Sequence, residues 1–446
     1  MLLPALSESR PLRLTAVTAM YVAQGIQIGL LMTAFPAYMA AQGVAPAAIG
    51  GWISALILPW TLKLLYSPLM ERYTFLAMGR RRPWILAGTL GAAAGYAAMA
   101  LVPDPLGQLG LLSAITVGGS LLLALQDIAT DALAINVVPL DEQGRANGLM
   151  WGGKVLGTAA TAAASAWSFG AAGVPATFAF AGLATLAFAL VPLLLRERPG
   201  ERVLPWTAGA ASPEARAVQL TGWAEIGRSL RRVAFLPASL VTALVGFGLN
   251  LSMGFFGGFG LVLTIQTLGW TDVAFSNTMA AAELTGGVVG MVGGGLLVTW
   301  LGRTRAIRVA AVALAVVGVA MGLAAPFWES TLVTQAYLVL FVTTRTLAMI
   351  AFFATCMALC WTRVAAVQFG LFMAVGNLGL MAGSALMGPL VAATTDTQAL
   401  FVMAVFPVVV ALLTLRVDVA THAARVEAFG EAEPDARAPS VRLETA

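Results

Sequence analysis

Apolar residues run in long blocks along this chain, and polar residues gather in short clusters between them. Stretches long enough to cross a bilayer lie at about 14–41, 46–70, 83–103, 109–138, 146–170 and 175–195. After a polar interval they resume at about 234–266, 272–300, 306–326, 330–361, 365–389 and 397–416. A helical crossing takes roughly 20 apolar residues, so the pattern predicts twelve spans. The ten-residue alternation of a membrane barrel is absent, and helices are then the way to satisfy every backbone group inside lipid.

The basic residues test that count. Of 25, 22 fall at the chain ends or in even-to-odd connections, and the odd-to-even connections QGVAPAA, VPDPLGQ and TLGWTDV carry none. Positive charge marks the cytoplasmic side, so both termini are expected in the cytoplasm. The other three, Lys63, Lys154 and Arg345, lie within spans.

Composition agrees: 59% of the 446 residues are hydrophobic, 10% are charged, and mean hydropathy is +0.87. A soluble domain carries about 25% charged residues. The net charge of +4 is too small to suggest nucleic acid as a partner. The one histidine, His422, sits in the polar tail, and Cys356 and Cys360 lie one helical turn apart in an apolar span. Neither a metal site nor a disulfide is expected. The N-terminal MLLPALSESRPLRL lacks a short apolar core with a small-residue cleavage site, so no cleaved signal peptide is expected. There is no P-loop or nucleophile elbow, and the Gly286, Gly290, Gly294 series follows no strand. It reads as small-residue helix packing. An enzyme is not expected, and no cofactor is called for beyond a proton gradient.

The polar interval divides the chain. The expected organisation is a six-helix bundle over 1–195, a cytoplasmic linker over 196–233, a second bundle over 234–416 and a disordered cytoplasmic tail over 417–446. The linker ends in WAEIGRSLRRVAF, which places Trp223, Ile226, Leu230 and Val233 on one helical face. A helix on the inner membrane surface is expected there, a plain charged linker being the alternative. The halves repeat: Gly79-Arg80-Arg81-Arg82 matches Gly302-Arg303-Thr304-Arg305 at an offset of 223, and Gly157 matches Gly379 at 222. Two parallel six-helix repeats of this kind mark the major facilitator fold, an all-α polytopic membrane architecture.

Six charges lie deep inside spans: Lys63, Asp127, Asp131, Lys154, Glu283 and Arg345. Such residues face a cavity or a partner. At 1.5 Å per residue, Asp131 and Asp127 lie about 12 and 18 Å from the cytoplasmic end of the fourth span, with Lys63 and Lys154 in the same layer. The acids share one helix face, and the lysines are expected to neutralise them. Two readings stay open, a buried network that only holds helices together and a set that binds solute or carries protons. Glu283 and Arg345 either pair with each other or leave Arg345 facing the cavity. Gln24, Gln27, Asn250 and Asn377 are further cavity candidates, a single buried amide being as often an interhelical tie. Trp60 and Trp151 lie deep enough to stack on a solute, with core packing the competing reading.

Four stretches, YVAQGIQIGL, LPWTLKLLYSPLMERY, GRRRPW and LQDIATDA, together resemble the peptide–acetyl-coenzyme A–drug transporter group of the major facilitator superfamily, with its muropeptide permeases, acetyl-coenzyme A transporters and siderophore importers. The resemblance is strongest over about residues 14–160. It implies that Lys63, Asp127 and Asp131 belong to the transport path or its gate; by its depth nearer the cytoplasm Asp131 is expected to gate, and Asp127 to couple. It also implies a cytoplasmic gate of Glu71, Arg80, Arg81 and Arg82, with Arg303 and Arg305 as the repeat counterparts. Lys154 stands where the family pattern has arginine, and Glu71 where aspartate is usual. Muropeptide permeases tend to carry additional spans, which favours the siderophore importers.

The expected function is secondary active uptake by a monomer in the bacterial inner membrane, driven by protons. The solute is expected to be large and polar or anionic, of the muropeptide or siderophore class. The alternatives are an exporter of drug-like or CoA-linked compounds and a non-transporting assembly factor of the same shape.

Overall fold

The structure, a computed structural model, describes residues 4–44 and 46–431, and every regular element among them is helical. The first half holds α1 (Arg10–Met39), α2 (Gly51–Arg72), α3 (Arg82–Ala100), α4 (Leu109–Val137), α5 (Gln143–Ala171) and α6 (Val174–Leu194). The second holds α7 (Pro237–Thr267), α8 (Asn277–Leu301), α9 (Arg303–Leu323), α10 (Thr331–Leu359), α11 (Thr362–Ala393) and α12 (Asp396–Arg416). Ten of these are both long and apolar enough to cross a membrane. The remaining two, α3 and α5, are rich in Ala and Gly, which lowers hydropathy without shortening the helix. They are packed among the others, α3 between α4 and α6 and α5 along α1, and complete the twelve.

The repeat is visible in the tightest crossings. A Cβ on Gly157 of α5 would lie 2.5 Å from the Val22 carbonyl of α1, and one on Gly379 of α11 would lie 2.2 Å from the Phe247 carbonyl of α7. Only a missing side chain lets each backbone pair approach so closely. The second repeated signature is conformational: Gly79 and Gly302, just before α3 and α9, hold φ of +103° and +77°. An L side chain is strained there.

Helix α2 is broken inside the bilayer. Leu62 leaves helical geometry at φ −88° and ψ 5°, and Lys63 begins the second segment. Pro59 and Pro68 flank the break. The carbonyl that the break frees on Pro59 accepts the Tyr66 hydroxyl at 2.5 Å, so a side chain replaces the lost backbone donor.

Two expectations are corrected. The helix Trp223–Ala234 lays part of its apolar face on protein, while Trp223 stays exposed. Ile226 and Val233 are buried with Leu220 against Trp361, Val364 and Val367 at the ends of α10 and α11. Nor is the whole tail without structure. Val419–Glu431 is a helix whose buried His422 donates through Nε2 to the Leu359 carbonyl at 2.8 Å, and Val426 and Phe429 join the same apolar cluster. In both cases the exposed helix ends of the second half present apolar surface that the protein covers itself. Residues 432–446, with Arg437 and Arg442, lie outside the described residues.

Candidate functional site

The close crossing of α1 and α5 brings Tyr21 and Lys154 into one layer, and the break in α2 turns Lys63 towards α4. Lys63 Nζ forms an ion pair with Asp127 Oδ2. Asp131 behaves differently, accepting the Tyr21 hydroxyl at 2.6 Å on Oδ1. Of the contacts expected between the two lysines and the two acids, the structure forms the one between Lys63 and Asp127. Lys154 is outside ion-pair distance of both acids among the described residues, and its ammonium lies 5.7, 5.2 and 5.7 Å from the ring centroids of Tyr21, Trp60 and Trp151. The negative ring faces attract the cation without contacting it as a base would. Lys63 also sits 4.2 Å from the Trp60 ring centroid. Asp127 and Asp131 are buried, whereas Lys63, Lys154, Trp60 and Trp151 stay partly open. Trp151 stacks on Phe353 of α10 at 5.4 Å and 5°, which joins this wall to the second half.

Glu283 and Arg345 face each other across α8 and α10, with Arg345 Nη2 donating to both carboxylate oxygens at 2.6 and 2.8 Å. Both side chains remain partly open, 41% for Glu283 and 29% for Arg345.

Three of the four amide candidates are held by bonds within the bundle. Gln24 Nε2 donates to Gln126 Oε1 at 3.2 Å and Gln27 Nε2 to Ser120 Oγ at 2.6 Å, which ties α1 to α4. Asn250 Nδ2 donates to the Gly246 carbonyl one turn back, and the amide packs against Gly376 of α11. These three close helix contacts, as buried amides in lipid must. Asn377 alone of the four is exposed.

The chain-end side is closed by a second polar cluster. Glu71, fully buried, receives Arg80 Nη2 at 2.7 Å and Arg81 Nη2 at 2.6 Å on Oε2, while its Oε1 accepts the Ala366 N–H of α11 at 2.7 Å. Arg80 also reaches the Thr362 and Arg363 carbonyls, the latter at 2.5 Å. Gln219 of the linker bonds Arg80 Nε at 3.3 Å and the Glu71 carbonyl at 2.6 Å. Glu71 and Arg80 thus join the halves, and Arg81 braces Glu71 from its own half. Arg82 does not join them: its fork turns back to carbonyls of Pro192, Leu193, Arg202 and Val203, pinning the linker to the first half. Arg303 reaches the Leu140 carbonyl in the other half, but Arg305 is exposed and joins nothing among the described residues.

Residues 17–384 match the Major Facilitator Superfamily. The chain belongs to that superfamily. That superfamily is one of membrane transporters rather than enzymes. The anhydromuropeptide permease of Escherichia coli K12 is 32% identical over 145 residues, 32% of this chain and 29% of that protein. An uncharacterised protein of Haemophilus influenzae is 30% identical over 123 residues, 28% of each chain. The facilitator therefore spans less than a third of the length of these curated relatives in what it matches. Among solved structures, the human organic anion transporter MFSD10 superposes with a TM-score of 0.67 at 16% identity, over 91% of this chain and all of that one. The proton:xylose symporter XylE superposes at 0.68 and 13% identity, over 91% and 96%. At such identities these two show the fold.

Two residues of the facilitator's polar clusters escape a reading of the sequence. Tyr21 is three residues before Gln24 on α1, so its place on the polar face was legible; its bond to Asp131 was not. Glu197 lies just after α6, and its carboxylate accepts the backbone N–H groups of Arg80, Arg81 and Arg82 at 3.1, 2.6 and 2.5 Å. It fills the cradle that Gly79 leaves open, where a Cβ would meet that carboxylate at 2.6 Å. A helix N-terminus favours such an anion.

Proposed function

We propose that this facilitator imports an anhydromuropeptide-like solute across the bacterial inner membrane in symport with protons, working as a monomer. One observation carries the reading: a balanced cluster of two lysines and two aspartates in the first half, with the acids buried and the lysines only partly so. A scaffold of the same shape needs no such cluster, and charges at this depth are expensive to retain. The partial match to an anhydromuropeptide permease supports a muropeptide-class solute over a siderophore. Glu71, Arg80 and Arg81 act as the cytoplasmic gate, closed in this conformer, and alternating access requires that they part.

The test is uptake by proteoliposomes containing purified protein, given labelled anhydromuropeptide or a ferric siderophore, with and without an inward proton gradient. Gradient-dependent accumulation of the anhydromuropeptide is the expected result. Accumulation of the ferric siderophore alone moves the solute class, and outward movement of solute against the gradient makes the protein an exporter. No transport by folded protein sinks the reading.

A further inference from the structure

The four charges of the first half are unequally paired. Lys63 and Asp127 form a closed ion pair. Asp131 and Lys154 form no ion pair, and Tyr21 touches both, its hydroxyl on Asp131 at 2.6 Å and its ring centroid 5.7 Å from the Lys154 ammonium. Lys154 is flanked by three rings, whose faces supply no lone pair, and its ammonium makes no hydrogen bond among the described residues. One turn earlier on the same face of α5, the Trp151 indole N–H is buried with no acceptor. Two donors without acceptors thus share a partly open wall between the halves. That arrangement suits an anion, and a carboxylate has the lone pairs for both.

We propose that Lys154 and Trp151 seat a carboxylate of the transported solute, and that Asp131 takes up one proton for each carboxylate seated. The inference rests on the reading of this protein as a proton-coupled importer. With the seat empty, two lysines balance two acids. A seated carboxylate claims Lys154 and leaves one acid without a counter-charge in a low-dielectric interior, which is costly. Proton uptake restores the balance: a proton leaves water and bonds to a carboxylate oxygen of Asp131, and no other covalent bond changes. Asp127 is not the acceptor, because Lys63 stays in contact with it. The groups facing Asp131 are Tyr21 of α1, Lys63 of α2, Asp127 on its own helix, Lys154 of α5 and Cys360 at the end of α10. Among them Lys154 is the cation that an arriving anion can claim. The geometry also moves the coupling role from Asp127, where its depth in the span placed it, to Asp131.

The experiment measures binding of 1,6-anhydro-N-acetylmuramic acid and of its carboxamide to purified full-length protein between pH 6 and 8. The acid is expected to bind more tightly as pH falls, by up to about tenfold per unit for one linked proton, and the carboxamide with no pH trend. Asp131→Asn should bind the acid without pH dependence. Lys154→Gln should lose the preference for the acid, and Lys154→Arg should keep it, which separates a lost charge from a lost fold. Infrared difference spectra should show a protonated-carboxyl band on binding the acid that is missing in Asp131→Asn. A wild-type pH slope retained in Asp131→Asn overturns the proposal, as does an acid preference retained in Lys154→Gln. Equal binding of both probes by the wild type overturns the seat and leaves the importer reading standing, whereas binding of neither overturns both.

Discussion

Glu71 joins the two halves through Oε1, which accepts the Ala366 N–H of α11 at 2.7 Å, while its Oε2 holds Arg80 and Arg81 at 2.7 and 2.6 Å, and Arg80 crosses to the Thr362 and Arg363 carbonyls. Glu71→Gln leaves two buried guanidiniums without their counter-charge. Breaking one partner of a buried pair costs about 3–5 kcal/mol. The closed conformer should lose most of its advantage, so a cysteine placed at Ala366 should label from the cytoplasmic side much faster in the variant. An unchanged labelling rate would show that the gate is held elsewhere.

The Lys63–Asp127 pair predicts a rescue. Lys63→Gln and Asp127→Asn should each lower thermal stability, by about 3–5 kcal/mol where the remaining charge stays buried. The double variant should recover much of the loss, because no charge is then orphaned. Melting temperatures of the two single variants and the double variant form the required cycle. Additive losses would mean that the two side chains do not interact.

Close helix approach predicts a position where one methyl group is too many. A Cβ on Gly25 would lie 2.6 Å from the Lys154 carbonyl and 2.6 Å from the Thr158 nitrogen, both backbone atoms that cannot swing aside. Gly25→Ala should destabilise by about 1–3 kcal/mol and push α1 off α5, parting Tyr21 from Lys154. Transport should fall more than expression does. A variant with normal stability and uptake would refute the packing account.

The linker carries a titrating group of its own. Burial, then the charge of Glu197, raises the Glu201 carboxyl from 4.5 to about 7. The folded protein therefore holds a proton there that the unfolded chain releases above pH 4.5. That contribution to stability is complete below the unfolded value and is lost as pH rises through about 7. Glu201→Gln, which keeps an acceptor for the Ser212 hydroxyl now 3.1 Å away, should flatten the fall in melting temperature between pH 4.5 and about 7. An unchanged pH profile would exclude Glu201 as its source.

Much of the fold was legible because it rests on periodic signals. Apolar runs and arginine placement gave the spans, and the matched pairs Gly157/Gly379 and Gly79/Gly302 proved to be the same crossings and turns in both halves. The site was legible only in part. Its charges announced themselves by being in the membrane, but their pairing depends on contacts such as Tyr21 with Asp131, 110 residues apart, and Arg81 with Glu197, 116 apart. No local pattern encodes these. The linker helix was misread for a related reason: an amphipathic face states that it needs covering, not whether lipid or protein covers it.

The interruption of α2 at Leu62 makes that helix two rods rather than one. The lower rod, Lys63–Arg72, carries Glu71 and rests on α11, while Trp60 of the upper rod looks onto the lysines. The joint is tied by Tyr66 to a proline carbonyl, a bond that a rotating side chain can release and remake. A latch and a ligand wall mounted on opposite arms of such an elbow can move through different angles, with Lys63 and its ion pair near the pivot.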